Sequence, residues 1–234
     1  MQSIIDFARG PLFRLCFTIM LLGLLRVLFI EFWGIYKAYS KACDKQIPWR
    51  LVLSRTFEWL IPARKLVKSG DVYSFVSILF HIGLIAAPVF LFAHITLLKS
   101  SIGIGWLSLP YKFEFWLTLS TIILSFFLLV LRIARRTIRL LSRPEDYLWL
   151  ILILFPFVTG FVCANIDISA TLYEFLMAVH VISADLIFAL IPFTKIVHCV
   201  LAPFSQFVDA LAWKFPARTD EDIALTLNKK GIPV

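Results

Sequence analysis

The sequence contains few charged residues. Only 16% of its 234 residues are Asp, Glu, Lys or Arg, whereas 60% are hydrophobic, and about a quarter of the residues in a soluble domain are charged. Long stretches lack any charged side chain, which is typical of segments solvated by lipid. The composition therefore argues against a soluble enzyme and predicts an integral membrane protein.

The net charge of +8 does not indicate nucleic-acid binding here. The basic residues gather at the ends of the apolar runs, where Lys and Arg anchor and orient membrane helices. We therefore expect no nucleic-acid partner.

Paired cysteines are absent too. Cys16, Cys43, Cys163 and Cys199 are scattered singly, with no C-x-x-C pair and no C-x-x-C-H motif. The chain thus has no motif for an iron–sulfur cluster of its own or for covalent haem attachment. We interpret the four cysteines as small core residues.

Five apolar runs are each long enough to cross about 30 Å of hydrocarbon as a helix. The sequence shows no internal repeat and no low-complexity linker. We predict an all-α bundle of five transmembrane helices over 1–213, followed by a cytoplasmic tail over 214–234. The spans lie near 12–36, 72–98, 114–132, 147–166 and 174–200.

Lys and Arg are frequent in the first and third loops between spans and in the tail, but sparse in the second and fourth loops. The positive-inside rule then predicts an outer N-terminus and a cytoplasmic C-terminus in the inner membrane. Segment 46–70 mixes aromatic residues with arginines, which favours an amphipathic helix on the cytoplasmic membrane face over a plain loop. A similar short helix is expected after Pro203.

All four histidines fall inside apolar runs, His81 and His94 in the second and His180 and His198 in the fifth. A single buried histidine often does no more than hydrogen-bond to a neighbouring backbone group. Ionisable side chains in hydrocarbon are costly, however, and they usually face the bundle interior to serve a ligand, an ion or a proton. Two histidines on each of two spans favour a binding function.

The depth of each histidine predicts how they pair. The second and fifth spans run antiparallel, which matches His81 with His198 near the inner face and His94 with His180 near the outer face. The eighteen residues between His180 and His198 make five turns of one continuous helix, so both rings leave one face about 27 Å apart. At 100° per residue, the thirteen residues from His81 to His94 advance about 220° beyond three turns, which leaves the two rings about 140° apart around the helix. We expect Pro88 to kink the second span and restore the phase.

Two facing pairs of imidazoles favour two non-covalent haems, each with two axial histidines. Zinc more often takes three or four ligands at one level, with help from Cys or carboxylate, and the sequence places no such ligand at matched spacing. The haem propionates need cations, and each candidate has ordinary snorkelling to lipid headgroups as its alternative interpretation. The candidates are Arg132, Arg135, Arg136 and Lys195 inside, and Lys99 and Lys112 outside.

Asp185 is the one carboxylate deep in an apolar run. Three interpretations stay open: transfer of a quinol proton, a hydrogen bond that tunes a ligating histidine, and a structural ion pair with Arg26. Lys99 is a further candidate beside a quinone or proton site.

With five spans and this histidine pattern, the sequence resembles the gamma, cytochrome b subunit of respiratory nitrate reductase. Residues 7–12 (FARGPL) and 142–147 (SRPEDY) are similar to the relatives in transmembrane redox complexes of sulfate reducers. These are the high-molecular-weight cytochrome c complex and the complex linked to dissimilatory sulfite reduction. The resemblance covers nearly the whole chain.

The resemblance implies two b-type haems that carry electrons across the membrane in an anaerobic respiratory complex. It also implies a cytoplasmic iron–sulfur partner resembling heterodisulfide reductase, a periplasmic multihaem cytochrome c and other membrane subunits. Whether the subunit itself oxidises menaquinol is left open. The competing hypotheses are a membrane anchor with one haem or none, and a subunit that conducts protons or metal ions through its histidines.

Overall fold

The computed structural model describes residues 1–41, 46–60 and 71–212. Every regular element within these ranges is a helix, and they contain no strand. Five of these helices are long and apolar enough to cross a membrane, which confirms the all-helical, multi-pass prediction. The orientation of the termini stays a prediction.

The helices follow the apolar runs, with a π-helical turn at Ala8–Leu12 and a 3-10 turn at Ile191–Phe193. The α-helices are α1 (Gln2–Phe7), α2 (Phe13–Lys41), α3 (Trp49–Leu60), α4 (Val72–Phe90), α5 (Phe92–Ile102), α6 (Tyr111–Ala134), α7 (Arg136–Leu141), α8 (Pro144–Asn165), α9 (Ala170–Leu190) and α10 (Val197–Ala212).

The second predicted span is divided in the structure. Helix α4 ends at Phe90, Leu91 is extended (φ −70°, ψ 134°), and α5 begins at Phe92. Pro88 lies in the last turn of α4 and has no N–H to continue the helical hydrogen bonds. The side chain of Glu114 on α6 accepts a hydrogen bond from the freed Phe92 N–H at 2.6 Å. The predicted kink is therefore a full break, placed three residues after the proline.

The fifth predicted span is interrupted as well. Helix α9 ends at Leu190, Pro192 lies in a 3-10 turn, and Thr194 is extended (φ −131°, ψ 175°) before α10 begins at Val197. The prediction that His180 and His198 share one continuous helix is wrong, because the chain around the proline leaves the helical conformation. The expected short helix after Pro203 begins earlier, at Val197.

The described residues divide into two compact units, one formed by 1–23 and 71–199 and the other by 24–41, 46–60 and 200–212. In the first unit α4 packs on α6, α6 on α8, and α8 on α9, while α1 and the π-helical turn also pack on α9. Gly83 of α4 faces Thr121 of α6 so closely that no Cβ fits between them.

In the second unit, α3 buries Val52 against Leu211, with Ile35, Tyr39 and Phe207 around them. Its neighbouring stripe, at positions 49, 53 and 57, is apolar and exposed. This amphipathic pattern covers the described part of segment 46–70. Residues 61–70 and the predicted tail over 214–234 lie outside the described residues, and the position of α3 on a membrane face stays a prediction.

Candidate functional site

The four histidine rings meet in two pairs, both in the first unit. The ring centroids of His81 and His198 are 5.8 Å apart with planes tilted by 59°, and those of His94 and His180 are 6.1 Å apart with planes 10° from parallel. We call them the cavity pair and the stacked pair, respectively. The partners are the ones that the depth argument predicts, and their function as haem ligands stays a prediction.

Each pair combines a histidine from the middle of a long helix with one that follows a break. His81 lies in the middle of α4 and His180 in the middle of α9, whereas His94 is the third residue of α5 and His198 the second residue of α10. The extended residue Leu91 interrupts the helix between His81 and His94, so the regular helical phase does not continue from one histidine to the other. The two proline-associated breaks therefore position the rings.

All four rings have their Nδ1 atom within hydrogen-bond distance of a backbone carbonyl oxygen. A neutral imidazole that donates from Nδ1 keeps a free lone pair on Nε2, which is the usual arrangement of a metal-binding histidine. Such a bond also satisfies an ordinary buried histidine, so the hydrogen bonds alone do not define the site. The acceptors for His81, His94, His180 and His198 are, in that order, the carbonyls of Ser77 (2.6 Å), Ala87 (3.3 Å), Pro156 (2.8 Å) and Lys195.

The cavity pair adjoins a cavity of about 420 Å³. Side chains from α4, α6, α8 and the start of α10 line it, and most of them are apolar, such as Phe80, Leu128 and Ile153. Its polar groups include Tyr73 and Arg132. This volume and this mixture of groups are ordinary for a site that binds a largely apolar cofactor.

Arg132 and Lys195 both line this cavity, but their surroundings differ. Arg132 donates from Nη2 to the hydroxyl of Tyr73 at 2.8 Å, and its buried Nε has no hydrogen-bond partner among the described residues. Lys195 already binds Glu145 at 2.9 Å and Asp146 at 3.0 Å. Arg132 is therefore the better candidate to hold an anionic group of a ligand.

The other predicted inner cations do not line the cavity. Arg135 forms an ion pair with Asp71 at 2.9 Å, and Arg136 is exposed on α7. These two arginines have the surroundings that ordinary surface cations have.

Cys199 belongs to the site, contrary to its interpretation as a core residue. Its Sγ lies 3.6 Å from Nε2 of His198, and the ligand atoms of His81, His198 and Cys199 lie within 4.8 Å of one another. The thiol is therefore at the level of the cavity pair, where the sequence argument expected no such ligand. The neighbouring positions of His198 and Cys199 at the start of one helix are the signal in the sequence.

In the stacked pair, the ring of His180 packs against α8. A Cβ added to Gly160 would lie 2.6 Å from Cε1 of His180, so glycine is what lets α8 approach the ring. Arg9, which is not among the predicted residues, acts electrostatically on His180. The predicted outer cations Lys99 and Lys112 are exposed, at the end of α5 and the start of α6.

Asp185 lies on α9 in the first unit and is 1% exposed. One of its carboxylate oxygens, Oδ2, has no hydrogen-bond partner among the described residues. Arg26 belongs to the second unit, and the pairing of these two residues stays a prediction.

The fold and the site define a transmembrane helical protein with four histidines in two facing pairs. No protein-family model matches the chain, and no solved structure matches it with significance. A curated protein of Nitratidesulfovibrio vulgaris (strain Hildenborough), a sulfate reducer, is 31% identical over 145 residues, which make up 62% of this chain and 63% of that protein. The chain thus matches less than two thirds of this relative's length. The relative is named only "Protein".

Proposed function

We propose that the chain is a dihaem cytochrome b subunit that carries electrons across the cytoplasmic membrane. The facing of the four histidines at centroid distances of 5.8 and 6.1 Å is the observation that supports this most strongly. Two imidazoles that bind one metal from opposite sides, each with its nitrogen about 2 Å from the metal, have ring centroids about 6 Å apart. Rings that simply pack together also have centroids about 4.5–7 Å apart, so the support comes from the meeting of all four histidines in two such pairs and less from the distances.

The surroundings of the rings suit a macrocycle. Helices α4 and α9 are not one of the closely packed helix pairs in the described part of the chain, and a cavity of about 420 Å³ adjoins the cavity pair. Beside the cavity pair this space is lined by apolar groups and by Arg132. His81 with His198 would hold one haem b and His94 with His180 the other.

Bound haem supplies one-electron chemistry at iron. The protein's own contribution is to fix each imidazole through its Nδ1 hydrogen bond, which raises the basicity of Nε2 and sets the plane of the ring. The helix breaks at Leu91 and around Pro192 bring the second histidine of each pair into place.

The relative from a sulfate reducer agrees with the resemblance to the cytochrome b subunits of sulfate-reducer redox complexes. In that setting the partners are a cytoplasmic iron–sulfur protein resembling heterodisulfide reductase, a periplasmic multihaem cytochrome c and further membrane subunits, with menaquinol as a further electron donor. Arg132, Arg135 and Lys195 lie together at one end of the first unit. We assign this end to the cytoplasmic side by the positive-inside rule.

A second candidate function is favoured by one specific observation. The cluster of His81, His198 and Cys199 offers two nitrogen ligands and one sulfur ligand, a set that suits a transition metal. Transporters also place ion sites at broken helices such as those described here. On this hypothesis the chain conducts or stores a metal ion and carries no pigment.

The experiment is a reduced-minus-oxidised visible spectrum of the purified full chain, with a pyridine haemochrome assay and elemental analysis. We expect two haem b per chain, and one in each single variant His81→Ala, His94→Ala, His180→Ala and His198→Ala. Thr96→Ala is the matched control, because Thr96 is exposed on the same helix as His94. One zinc or copper ion without haem would support the second candidate function, and a chain with neither would contradict both.

A further inference from the structure

Asp185 is the most deeply buried carboxylate among the described residues. It is 1% exposed and lies within a membrane-spanning helix. Its Oδ2 atom has no hydrogen-bond partner in the described part of the chain. An ionised carboxylate in apolar surroundings requires a cation or several hydrogen bonds, since otherwise its desolvation costs several kcal/mol.

The described residues of the first unit supply no such cation. No ion pair to Asp185 is present among the described residues of this unit. Arg9 on the neighbouring π-helical turn acts on His180 and Cys163. The thiol of Cys16 on α2 is near enough for the charge of an ionised Asp185 to act on it.

The other surroundings are apolar or lie at the helix ends. Phe188, one turn after Asp185, packs against Phe13 and Phe17 at centroid distances of 6.2 and 6.3 Å. Within the first unit, the remaining charged residues and tyrosines on the elements packed against α9, and on α9 itself, lie at the ends of these helices or just before them. They are Asp6, Arg14, Arg143, Glu145, Asp146, Tyr147, Tyr173 and Glu174.

We propose that Asp185 is a proton-binding site in the membrane interior, where it carries one proton as a neutral carboxyl at neutral pH. The proton resides on the carboxyl group whose Oδ2 otherwise has no partner. It exchanges with water when the COOH group dissociates into COO⁻ and H⁺. Asp185 follows His180 by about 7.5 Å along the helix axis. A change of charge at the histidine pairs therefore acts on it through a medium of low dielectric constant. Only this last consequence rests on the proposed function.

Infrared absorption tests the bound proton without reference to haem. In the full chain at neutral pH we expect a C=O band of a protonated carboxyl that shifts to lower frequency in D₂O and is missing from Asp185→Asn. Asp167→Asn is the matched control, because Asp167 is exposed in the loop before α9, and this variant should keep the band. If the unmodified chain and Asp185→Asn gave identical spectra in this region, Asp185 would be ionised and paired, and the proposal would be overturned.

Isotope labelling keeps the test valid if Asp185→Asn does not fold. Labelling the unmodified chain with aspartate carrying ¹³C in the side-chain carboxyl should move the same band, because only protonated carboxyls absorb there. A band that does not move, or the absence of a band, would overturn the proposal. The haem content of the same samples reports separately on the proposed function.

Discussion

The cavity pair and the stacked pair contain the same two imidazoles but differ in their surroundings. His198 of the cavity pair is exposed, adjoins a cavity and lies beside a thiol, and its ring is tilted by 59° from that of His81. The rings of the stacked pair are partly buried and nearly parallel, and His180 is held between α8 and α9. Both pairs thus offer the same two imidazole ligands, but the cavity pair lies in a more open environment than the stacked pair.

This difference has consequences for both binding and redox properties. Burial, neighbouring charges and hydrogen bonds set the reduction potential of a haem more than the identity of two equal ligands does. If both pairs hold haem as proposed, we expect the two sites to differ in potential, and the cavity pair to exchange its haem more readily than the stacked pair. Four substitutions can break or sharpen this comparison.

The largest effect is expected from Gly160→Ala. The added Cβ would lie 2.6 Å from the ring of His180, and overpacking of this kind costs about 1–3 kcal/mol. The haem content should fall from two to about one per chain, with the stacked pair losing its signal. Gly34→Ala is the control, because a Cβ there meets nothing within 4 Å. Loss of the cavity-pair signal instead would contradict the assignment.

Arg132→Met should weaken haem binding at the cavity pair and leave the stacked pair unchanged. It removes a charged group whose Nε has no protein partner in the described residues, and a hydrogen bond to a charged group contributes about 1.5–3 kcal/mol. Haem transfer to an excess of a haem-accepting protein should become at least about tenfold faster for this site. Arg136→Met, which changes an exposed arginine on α7, should leave the transfer rate unchanged. An equal acceleration in both variants would argue for a general electrostatic effect.

Cys199→Ala separates the two candidate functions. If the cavity pair binds haem, removing a thiol 3.6 Å from Nε2 of His198 should change the potential of that site by the equivalent of about 1 kcal/mol or less, with two haems retained. Cys163→Ala, distant in sequence and also a free thiol, should change nothing at this site. Complete loss of a bound metal ion in Cys199→Ala would favour the second candidate function.

The smallest effect concerns the starts of the two long histidine helices. Asp71 caps α4 by accepting hydrogen bonds from the hydroxyl and N–H of Ser74, and these bonds, together with Arg135, hold the pKa of its carboxyl below the ordinary value. A lowered folded-state pKa stabilises the fold above the ordinary Asp pKa of about 4, and this stabilisation is lost as the pH falls through the folded value.

Asp71→Ala should therefore lower the Tm slightly at neutral pH, and its difference from the unmodified chain should shrink on acidification below about 4. Ser169→Ala removes the uncharged cap of α9 and serves as the control, because its effect on Tm should not depend on pH in this range. Thermal melts followed by circular dichroism measure both effects. A difference for Asp71→Ala that persists unchanged in acid would contradict the role of the carboxylate charge.

The sequence predicts part of this arrangement well. Uncharged runs indicate the five long helices, because a charged side chain is costly in lipid and a membrane span therefore shows in the local composition. Matching the depth of residues on antiparallel spans also predicts which histidine faces which. Both inferences use only the composition and length of the apolar runs and the positions of the histidines along them.

The details of the site depend on tertiary contacts that no local pattern shows. The break before α5 is positioned by Glu114, which binds a freed N–H from a different helix. Arg9 lies near α9 because the N-terminal segment packs on that helix. The free donor of Arg132 likewise follows from the position of Tyr73 on another helix.

The central claim is that His81 with His198 and His94 with His180 form two separate haem sites, and low-spin EPR of the oxidised protein tests it most directly. Nearly parallel imidazole planes act on the same iron d orbital, whereas strongly tilted planes act on two orbitals, so the two sites should give two distinct signals. We predict that His81→Ala and His198→Ala remove one and the same signal, and that His94→Ala and His180→Ala remove the other. Loss of the same signal in His81→Ala and His94→Ala would contradict the account.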